Sequence, residues 1–323
     1  MISYFKTKYC ISLNSGTDAL TLALHLSGVG RGDEVITPPN SFIASTASIV
    51  HLGAKPIFAD VLNDQNIDPD EIKKKITKKT KAIMPVHLTG KPCKMDQIMK
   101  IARRFNIPVI EDAAQAIGTR FKNKLVGTFG EFGCFSAHPL KNLNAAGDGG
   151  YLITNNKKLA KIANLLRNHG IHNRNSIKYF GHVSRLDNLQ AAILNIRLKS
   201  LNKVIKKRRY NAKIYIENLK NIKQIKLPEE TKDEYSTYHT FVIQAQERDL
   251  LKKYLQRNGI ETAIHYPYLI NKQPAYKKIF KKNKIKFPNA EKQVKSILTL
   301  PVNQFLTKKD IVFISKKIKS FYG

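Results

Sequence analysis

The sequence predicts an α/β protein with a large domain built on a mostly parallel sheet and a smaller α+β domain at the C-terminus. Short apolar runs of strand length alternate with helical patterns up to residue 154, which is the spacing of βαβ units. A long helical pattern over residues 185–219 follows and leads to a part with a different order of elements. A chain of 323 residues corresponds to about two domains. We therefore expect domains over residues 1–205 and 206–323.

The individual elements follow from apolar runs bounded by turn residues and from helical periodicity. Strands of the large domain are predicted over residues 9–13, 34–37, 55–60, 82–87, 108–112, 133–136 and 150–154. Helices are predicted between them over residues 18–26, 41–52, 68–76, 95–105 and 157–167. A long polar loop is expected over residues 169–183. In the smaller domain we expect strands over residues 240–244 and 260–265 and helices over residues 249–258, 291–298 and 308–321.

Two strands of the large domain end in side chains that suit a ligand site. Glu111 and Asp112 end one strand, Ser136 ends another, and Lys141 follows in a loop that closes on glycines. In an open α/β sheet, ligands collect at the carboxyl ends of the strands. An acid, a hydroxyl and a lysine together suit pyridoxal phosphate (PLP), because lysine forms the Schiff base and an acid keeps the pyridine nitrogen protonated. Singly, each has a structural explanation, since the chain contains 44 lysines and an Asp after a strand is often a helix cap.

Other candidates also have two interpretations. Gly16 and Thr17 lie in a turn that opens a helix, where free backbone N–H groups form either a phosphate cup or an ordinary N-cap. His87 ends a predicted strand, where it lines a site or is a buried structural histidine. His169 and His172 lack a third ligand at a recognisable spacing, so we expect no metal site.

Several segments, in order along the chain, carry a family resemblance. They read Ser-Gly-Thr-Asp-Ala-Leu (15–20), Pro-Val-His-Leu-Thr-Gly (85–90), Val-Ile-Glu-Asp-Ala-Ala-Gln-Ala (109–116), Cys-Phe-Ser-Ala-His-Pro-Leu-Lys-Asn-Leu (134–143), Leu-Arg-Asn-His-Gly (166–170), Ser-Arg-Leu-Asp-Asn-Leu-Gln-Ala-Ala-Ile-Leu (184–194), His-Tyr-Pro (265–267) and Leu-Thr-Leu-Pro-Val (298–302). The chain resembles the DegT/DnrJ/StrS family of PLP-dependent aminotransferases, which mostly act on nucleotide-linked keto sugars. The resemblance runs nearly end to end.

The resemblance implies fold type I of PLP-dependent transferases, the aspartate-aminotransferase-like fold, and a role for each matching residue. Lys141 would carry PLP and move protons, and Asp112 would pair with the pyridine nitrogen. The remaining cofactor contacts would be Gly16, Thr17 and Ser136 at the phosphate, Gln115 at the ring hydroxyl and Phe42 stacked on the ring. Substrate contacts are expected from His87, Arg185, His265 and Tyr266. The amino donor would be glutamate, and the acceptor would be a nucleotide-linked keto sugar in amino-sugar or surface-polysaccharide biosynthesis. The resemblance also implies a homodimer in which Ser184 and Arg185 reach the site of the neighbouring subunit.

Three departures from the family pattern stand out. Only fourteen residues precede Ser15, where the family has a longer segment, and we expect this difference to affect substrate binding and part of the dimer contact. Val183 stands where the family commonly has an Asn that reaches the phosphate of the neighbouring subunit, and Ala137 stands where an aromatic residue is usual. We expect the last two departures to weaken cofactor binding unless other residues compensate.

Other functions are open on the sequence alone. A sugar dehydratase of the same family would carry His in place of Lys141, and a non-catalytic or regulatory member would bind no PLP. The net charge of +32 would suit a nucleic-acid-binding protein. However, the charge comes from 44 Lys and only 12 Arg, and these residues are scattered along the chain apart from runs such as 277–286, which indicates a solvated surface instead. No apolar stretch is long enough to span a membrane, no signal-peptide pattern opens the chain, and three widely spaced cysteines fit a reducing cytoplasm.

Overall fold

The computed structural model describes residues 1–280 and 285–323. Its α-helices cover Ile2–Phe5, Gly16–Leu26, Ile43–His51, Pro69–Lys75, Met95–Phe105, Lys157–Leu166, Asn188–Leu219, Arg248–Arg257, Pro274–Ile279, Pro288–Ser296 and Lys308–Tyr322. Its strands cover Tyr9–Leu13, Glu34–Thr37, Lys55–Phe58, Thr80–Ile83, Ile110–Asp112, Arg120–Phe121, Lys124–Leu125, Phe132–Ser136, Gly150–Thr154, Ile171–Asn173, Ser176–Ile177, Ile225–Lys226, Glu234–Tyr235, Phe241–Ala245 and Ile297–Leu300. Of the lysine-rich run at 277–286, residues 281–284 lie outside the described residues.

The central sheet is mixed but mostly parallel, which confirms the predicted fold class. Glu34–Thr37 lies between Lys55–Phe58 and Thr80–Ile83, and all three strands are parallel. Parallel bridges from Ile83 to Val109 and from Val86 to Asp112 join this group to Ile110–Asp112. That strand pairs in parallel with Phe132–Ser136, and Gly150–Thr154 follows antiparallel to both of its neighbours, the other being Tyr9–Leu13.

The parallel register brings the predicted site residues to one edge of the sheet. Asp112 is the register partner of Cys134, so the strand that ends at Asp112 and the strand that ends at Ser136 finish on the same side. The helix Gly16–Leu26 covers this part of the sheet, and its apolar side chains share a core with Ile110 and Phe132. The N-terminus of that helix therefore lies beside the strand ends.

A second core belongs to the C-terminal part of the chain. The antiparallel strands Ile225–Lys226, Phe241–Ala245 and Ile297–Leu300 form a sheet that packs against the helices Arg248–Arg257 and Lys308–Tyr322. The long helix Asn188–Leu219 contributes Leu194, Leu201 and Ile205 to a core of the first part and Ala212, Tyr215 and Leu219 to this one. The predicted domain division after residue 205 stays a prediction, although the helix packs into the first core up to Ile205 and into the second core from Ala212 onward.

Three expectations about local structure were wrong. The segment 260–265 is not a strand, because only Ala263 pairs, in an isolated bridge to Thr299. The helix predicted over 291–298 ends at Ser296, and Ile297–Leu300 is a strand that pairs with Phe241–Ala245. A short apolar run fits either period, and pairing with a distant strand decides it here. The expected loop 169–183 contains a small hairpin of Ile171–Asn173 and Ser176–Ile177.

Candidate active site

A cleft of about 340 Å³ opens at the carboxyl edge of the central sheet. It is lined by most of the residues singled out from the sequence, namely Gly16, Thr17, Phe42, Asp112, Gln115, Ser136, Lys141, His265 and Tyr266. The first seven come from the part of the chain before residue 205, and the last two come from the C-terminal part. Substrate-sized ligands commonly bind in such clefts, where a few polar groups converge on a concave surface.

One end of the cleft is a backbone cup at the N-terminus of the helix Gly16–Leu26. The hydroxyl of the N-cap residue Ser15 accepts a hydrogen bond from the Asp18 N–H at 3.0 Å. A Cβ on Gly16 would lie 2.8 Å from the Cβ of Ser136, so only glycine permits this close approach of helix and strand. The first N–H groups of a helix have no intrahelical acceptor and carry the positive end of the helix dipole, so the cup suits a phosphate.

The carboxylate of Asp112 lies on the floor of the cleft and is 5% exposed. Its Oδ2 accepts a hydrogen bond from the Ser45 hydroxyl at 2.7 Å, and its Oδ1 accepts one from the Ala114 N–H at 3.1 Å. Burial raises the pKa of Asp112, while these hydrogen bonds and the nearby positive charge of Lys141 act in the opposite direction. The residue is thus a desolvated acid held in a fixed orientation.

Lys141 supplies the amine of the cleft. It lies in the loop after Phe132–Ser136, where its N–H donates to the carbonyl of His138 at 2.9 Å. Burial lowers the pKa of the Lys141 amine, and the negative charge of Asp112 partly opposes that change. Within the described part of the chain, its amine has no carboxylate within ion-pair distance. A partly desolvated amine without an ion pair is easier to deprotonate, which is what a nucleophilic lysine needs.

Gln115 and Tyr266 join the two sides of the cleft. The Gln115 amide oxygen accepts a hydrogen bond from the Thr89 N–H at 2.8 Å, and its amide nitrogen donates to the Tyr266 hydroxyl at 3.3 Å. Burial raises the pKa of Tyr266 to about 12, so its hydroxyl stays protonated. The ring of Phe42 is 55% exposed and lies 6.0 Å from the Tyr266 ring, centroid to centroid. This exposed ring at the cleft is available to stack on a planar ligand.

His87 does not line the cleft. Its side chain is fully buried on the other face of the sheet, where Nε2 lies 3.0 Å from Glu111 Oε2 and Nδ1 accepts from the Cys93 N–H at 3.0 Å. Glu111 also accepts hydrogen bonds from the N–H groups of Gly127, Phe129 and Gly130. A histidine with both ring nitrogens engaged inside the protein has no atom for a substrate, so the structure favours the structural role of His87.

Arg185 lies outside the cleft of its own chain. Its side chain is exposed, and Nη1 donates to the Asn168 side-chain oxygen at 3.3 Å. The neighbouring Ser184 is fully buried and exchanges hydrogen bonds with Asn14, so the segment is anchored beside the turn that opens the cleft. Val183 is 47% exposed, whereas Ala137 is fully buried. Arg185 therefore does not contribute to the cleft of its own chain in this structure.

Several polar residues of the cleft carry little or no signal in the sequence, among them Ser45, His239 and Thr240. Ser45 lies on the helix Ile43–His51, which carries no signal for a contact with Asp112 67 positions later. His239 and Thr240 precede the strand Phe241–Ala245 in the C-terminal part. The one available signal was the polar Thr-Tyr-His-Thr run directly before an apolar strand, a position at which site residues often occur.

These residues fit PLP. The backbone cup with Ser136 suits the phosphate, the buried Asp112 suits a protonated pyridine nitrogen, and Lys141 presents an amine in the same cleft. No group of three His, Cys, Asp or Glu side chains that could hold a metal ion occurs among the described residues. The fold and the cleft together therefore define a PLP-dependent transferase of fold type I.

Comparison with known proteins agrees with this assignment. The model of the DegT/DnrJ/EryC1/StrS aminotransferase family matches residues 1–319, and the chain belongs to this family. Its cofactor is therefore PLP, and the prediction of a PLP-dependent aminotransferase is confirmed.

The relatives are similar over nearly their whole length. The chain is 41% identical to the dTDP-3-amino-3,6-dideoxy-alpha-D-galactopyranose transaminase of Aneurinibacillus thermoaerophilus, covering 99% of this chain and 87% of the relative. It is 39% identical to a pleiotropic regulatory protein of Geobacillus stearothermophilus, with the same two coverages. Among solved structures, DesV of S. venezuelae in complex with a ketimine intermediate has a TM-score of 0.96 at 35% identity, covering 99% of this chain and 86% of DesV.

Proposed function

We propose that this protein transfers an amino group from glutamate to a keto sugar carried on a nucleoside diphosphate, for amino-sugar or surface-polysaccharide biosynthesis. The observation that carries the proposal is the joint presence of Lys141, the buried Asp112 and the Gly16 cup in one cleft. The sugar specificity is supported by relatives named as dTDP-linked and UDP-linked sugar aminotransferases, at 37–41% identity.

Each cofactor contact follows from the chemistry of its side chain. Bound PLP supplies an electron sink for the carbon that gains or loses the amine. Gly16, Thr17 and Ser136 would hold the phosphate, and the Asp112 carboxylate would pair with the ring nitrogen and favour its protonated form. Ser45 and the Ala114 N–H orient that carboxylate.

Lys141 anchors the cofactor and carries the proton. Because burial lowers the pKa of its amine, a larger fraction is uncharged near neutral pH than for an exposed lysine. An uncharged amine accepts a proton from the substrate carbon and returns it to another atom in the same cleft. Gln115 fixes Tyr266 through its amide, so the hydroxyl of Tyr266 and the imidazole of His265 face the substrate from the C-terminal side.

We further propose a homodimer that completes the cleft with Arg185 from the neighbouring subunit. Large apolar side chains are exposed along the same stretch of chain, and they are Ile177, Tyr179, Phe180, Val183, Leu189 and Ile196. Such a concentration of exposed apolar surface is typical of an interface. Sedimentation at micromolar concentration should give a dimer, and a monomer that turns over substrate at full rate would contradict this arrangement.

The compartment is also a proposal. Three unpaired cysteines, with Cys93 and Cys134 buried, support a reducing cytoplasm. Among the described residues, no helix is both long and apolar enough to span a bilayer.

The function is tested by borohydride reduction of the PLP-loaded protein followed by peptide mapping. The phosphopyridoxyl group should lie on the peptide that contains Lys141, and Lys141→Arg should bind PLP without covalent attachment and without turnover, because arginine is always charged and forms no imine. An adduct on another lysine, or none in protein that holds PLP, would refute the role of Lys141.

A regulatory function is the second candidate, since one relative is named a pleiotropic regulatory protein. Glutamate separates the two functions, because an aminotransferase converts bound PLP to the amino form and loses the long-wavelength absorption band. A protein that binds PLP but keeps this band in the presence of glutamate would favour regulation. A sugar dehydratase is disfavoured because Lys141 stands where those members carry His.

A further inference from the structure

His239 is held rigidly at the C-terminal wall of the cleft by a buried arginine. The Arg208 guanidinium donates hydrogen bonds to the backbone carbonyls of Tyr238 at 3.2 Å and of His239 at 3.0 Å. Its Nε donates to the Gln304 side-chain oxygen at 3.1 Å. Arg208 is 7% exposed, so these contacts are shielded from water and fix the backbone that presents the His239 ring.

The two ring nitrogens of His239 have different surroundings. Nδ1 is buried and has no hydrogen-bond partner among the described residues. Nε2 has no protein partner in that part of the chain either, but it does not belong to the buried atoms, and the residue lines the cleft. Nε2 is therefore the nitrogen that a ligand in the cleft can reach.

The surroundings also decide the charge and the tautomer of this ring. Burial is the main reason why the pKa of His239 lies well below its usual range, and the positive charges of Lys141, Arg208 and His265 lower it further. The imidazole is therefore neutral. A neutral imidazole carries one proton, on either nitrogen. A buried N–H without an acceptor is rarer in proteins than an under-satisfied acceptor, so the proton belongs on Nε2 and the lone pair on Nδ1. His239 thus presents a fixed, uncharged N–H donor to the cleft.

We propose that His239 determines substrate specificity by donating a hydrogen bond from Nε2–H to an uncharged oxygen of the sugar, a hydroxyl that the keto sugar and the amino sugar share. This inference rests on the function proposed above and adds the sugar contact to it. An uncharged donor suits a neutral oxygen, whereas the carboxylates of an amino donor gain most from charged partners. His265 differs, because its Nδ1 already lies 2.9 Å from the Thr299 hydroxyl.

The test compares His239→Leu, which removes the donor, with His239→Gln, whose amide nitrogen occupies nearly the position of Nε2. The probes are glutamate for one half-reaction and, for the reverse half-reaction, dTDP-3-amino-3,6-dideoxygalactose and a UDP-linked 3-amino sugar. We expect His239→Leu to raise the KM for the amino sugar about tenfold, the effect of one neutral hydrogen bond, and His239→Gln to restore most of it. The KM and rate with glutamate should stay unchanged in both variants.

A second measurement does not depend on activity. Nitrogen NMR of the histidine-labelled apoprotein should show the His239 ring neutral and protonated on Nε2 at pH 7. A proton on Nδ1, a charged ring, equal damage in both variants, equal damage to both half-reactions, or an unchanged KM in His239→Leu would overturn the proposal. If the wild-type protein reacts with glutamate but with neither amino sugar, the proposed sugar substrate fails and the role of His239 fails with it. If the wild-type protein reacts with an amino sugar and His239→Leu leaves its KM unchanged, only the role of His239 is refuted and the proposed function stands.

Discussion

Removal of the Ser45 hydroxyl should change the pH at which the protein loses PLP. This hydroxyl donates to Asp112 Oδ2 at 2.7 Å, and both side chains are almost fully buried. Burial already raises the pKa of Asp112, and the Ser45 hydrogen bond opposes that rise. Ser45→Ala therefore raises the pKa of Asp112 further, because the ionised form loses a donor and the protonated form loses less.

The size of the change follows from the hydrogen bond. A hydrogen bond to a charged group contributes about 1.5–3 kcal/mol, and one pH unit corresponds to about 1.4 kcal/mol, so the pKa of Asp112 should rise by about one to two pH units. Asp112 must be ionised to pair with the ring nitrogen. As the pH falls through the pKa of Asp112 in the apoprotein, PLP affinity falls, and in Ser45→Ala this decline should begin at a pH higher by the same amount.

The assay is the dissociation constant for PLP between pH 5 and pH 8, measured by absorption with wild type and variant in parallel. Titration of PLP itself is common to both proteins and cancels in the difference. Ser48→Ala is the matched control, because Ser48 is buried on the same helix and donates to the carbonyl of Ser45 rather than to Asp112. Superimposed pH profiles for Ser45→Ala and wild type would refute the coupling between Ser45 and Asp112.

Two further substitutions test other parts of the site, and a third tests the stability of the strand that carries Asp112. Asp112→Asn should still bind PLP, but more weakly, because its side chain is neutral like the protonated acid. With saturating PLP it should slow the glutamate half-reaction about 10²–10³-fold in stopped-flow absorption, the cost of removing one preorganised electrostatic partner, and an unchanged rate rules out its role. Gly16→Ala should weaken PLP binding about tenfold in absorption titrations, because its Cβ would lie 2.8 Å from the Cβ of Ser136. The control is Gly30→Ala, which should bind PLP normally because no atom lies within 4 Å of its Cβ. Equal PLP affinities of the two variants would contradict the proposed phosphate site at Gly16. Glu111→Gln should lower the free energy of unfolding by about 1–3 kcal/mol in urea titrations, because an amide cannot accept all of its backbone donors, and an unchanged midpoint would contradict this.

The residues that the sequence predicts best are those whose position follows from local rules. Asp112 and Ser136 end parallel strands, and Gly16 opens a helix, so one edge of a sheet brings them together. Ser45 and His239 follow no such rule, because each reaches the cleft through the packing of a distant segment. His87 shows the limit of the strand-end rule, which gives the edge of the sheet but not the face.

The C-terminal part was less predictable for a related reason. The segment Ile297–Leu300 is apolar at three of its four positions and follows a helical pattern, so its own sequence does not separate strand from helix. Its pairing with Phe241–Ala245, more than fifty positions earlier in the chain, decides between them. Residues 260–265 have strand-forming side chains, yet only Ala263 finds a partner there.

The two adjacent carboxylates of the strand Ile110–Asp112 tie the pairing register of this strand to function as well as to packing. Successive side chains of a strand face opposite sides, so a slip by one residue would turn Glu111 towards the cleft and Asp112 towards the opposite face. Glu111 would then enter the cleft, and the N–H groups of Gly127, Phe129 and Gly130, which now donate hydrogen bonds to its carboxylate, would lose this acceptor. A misaligned chain would lose stability and cofactor together. A one-residue insertion should therefore be tolerated far better in the turn before Pro108 than between Val109 and Asp112.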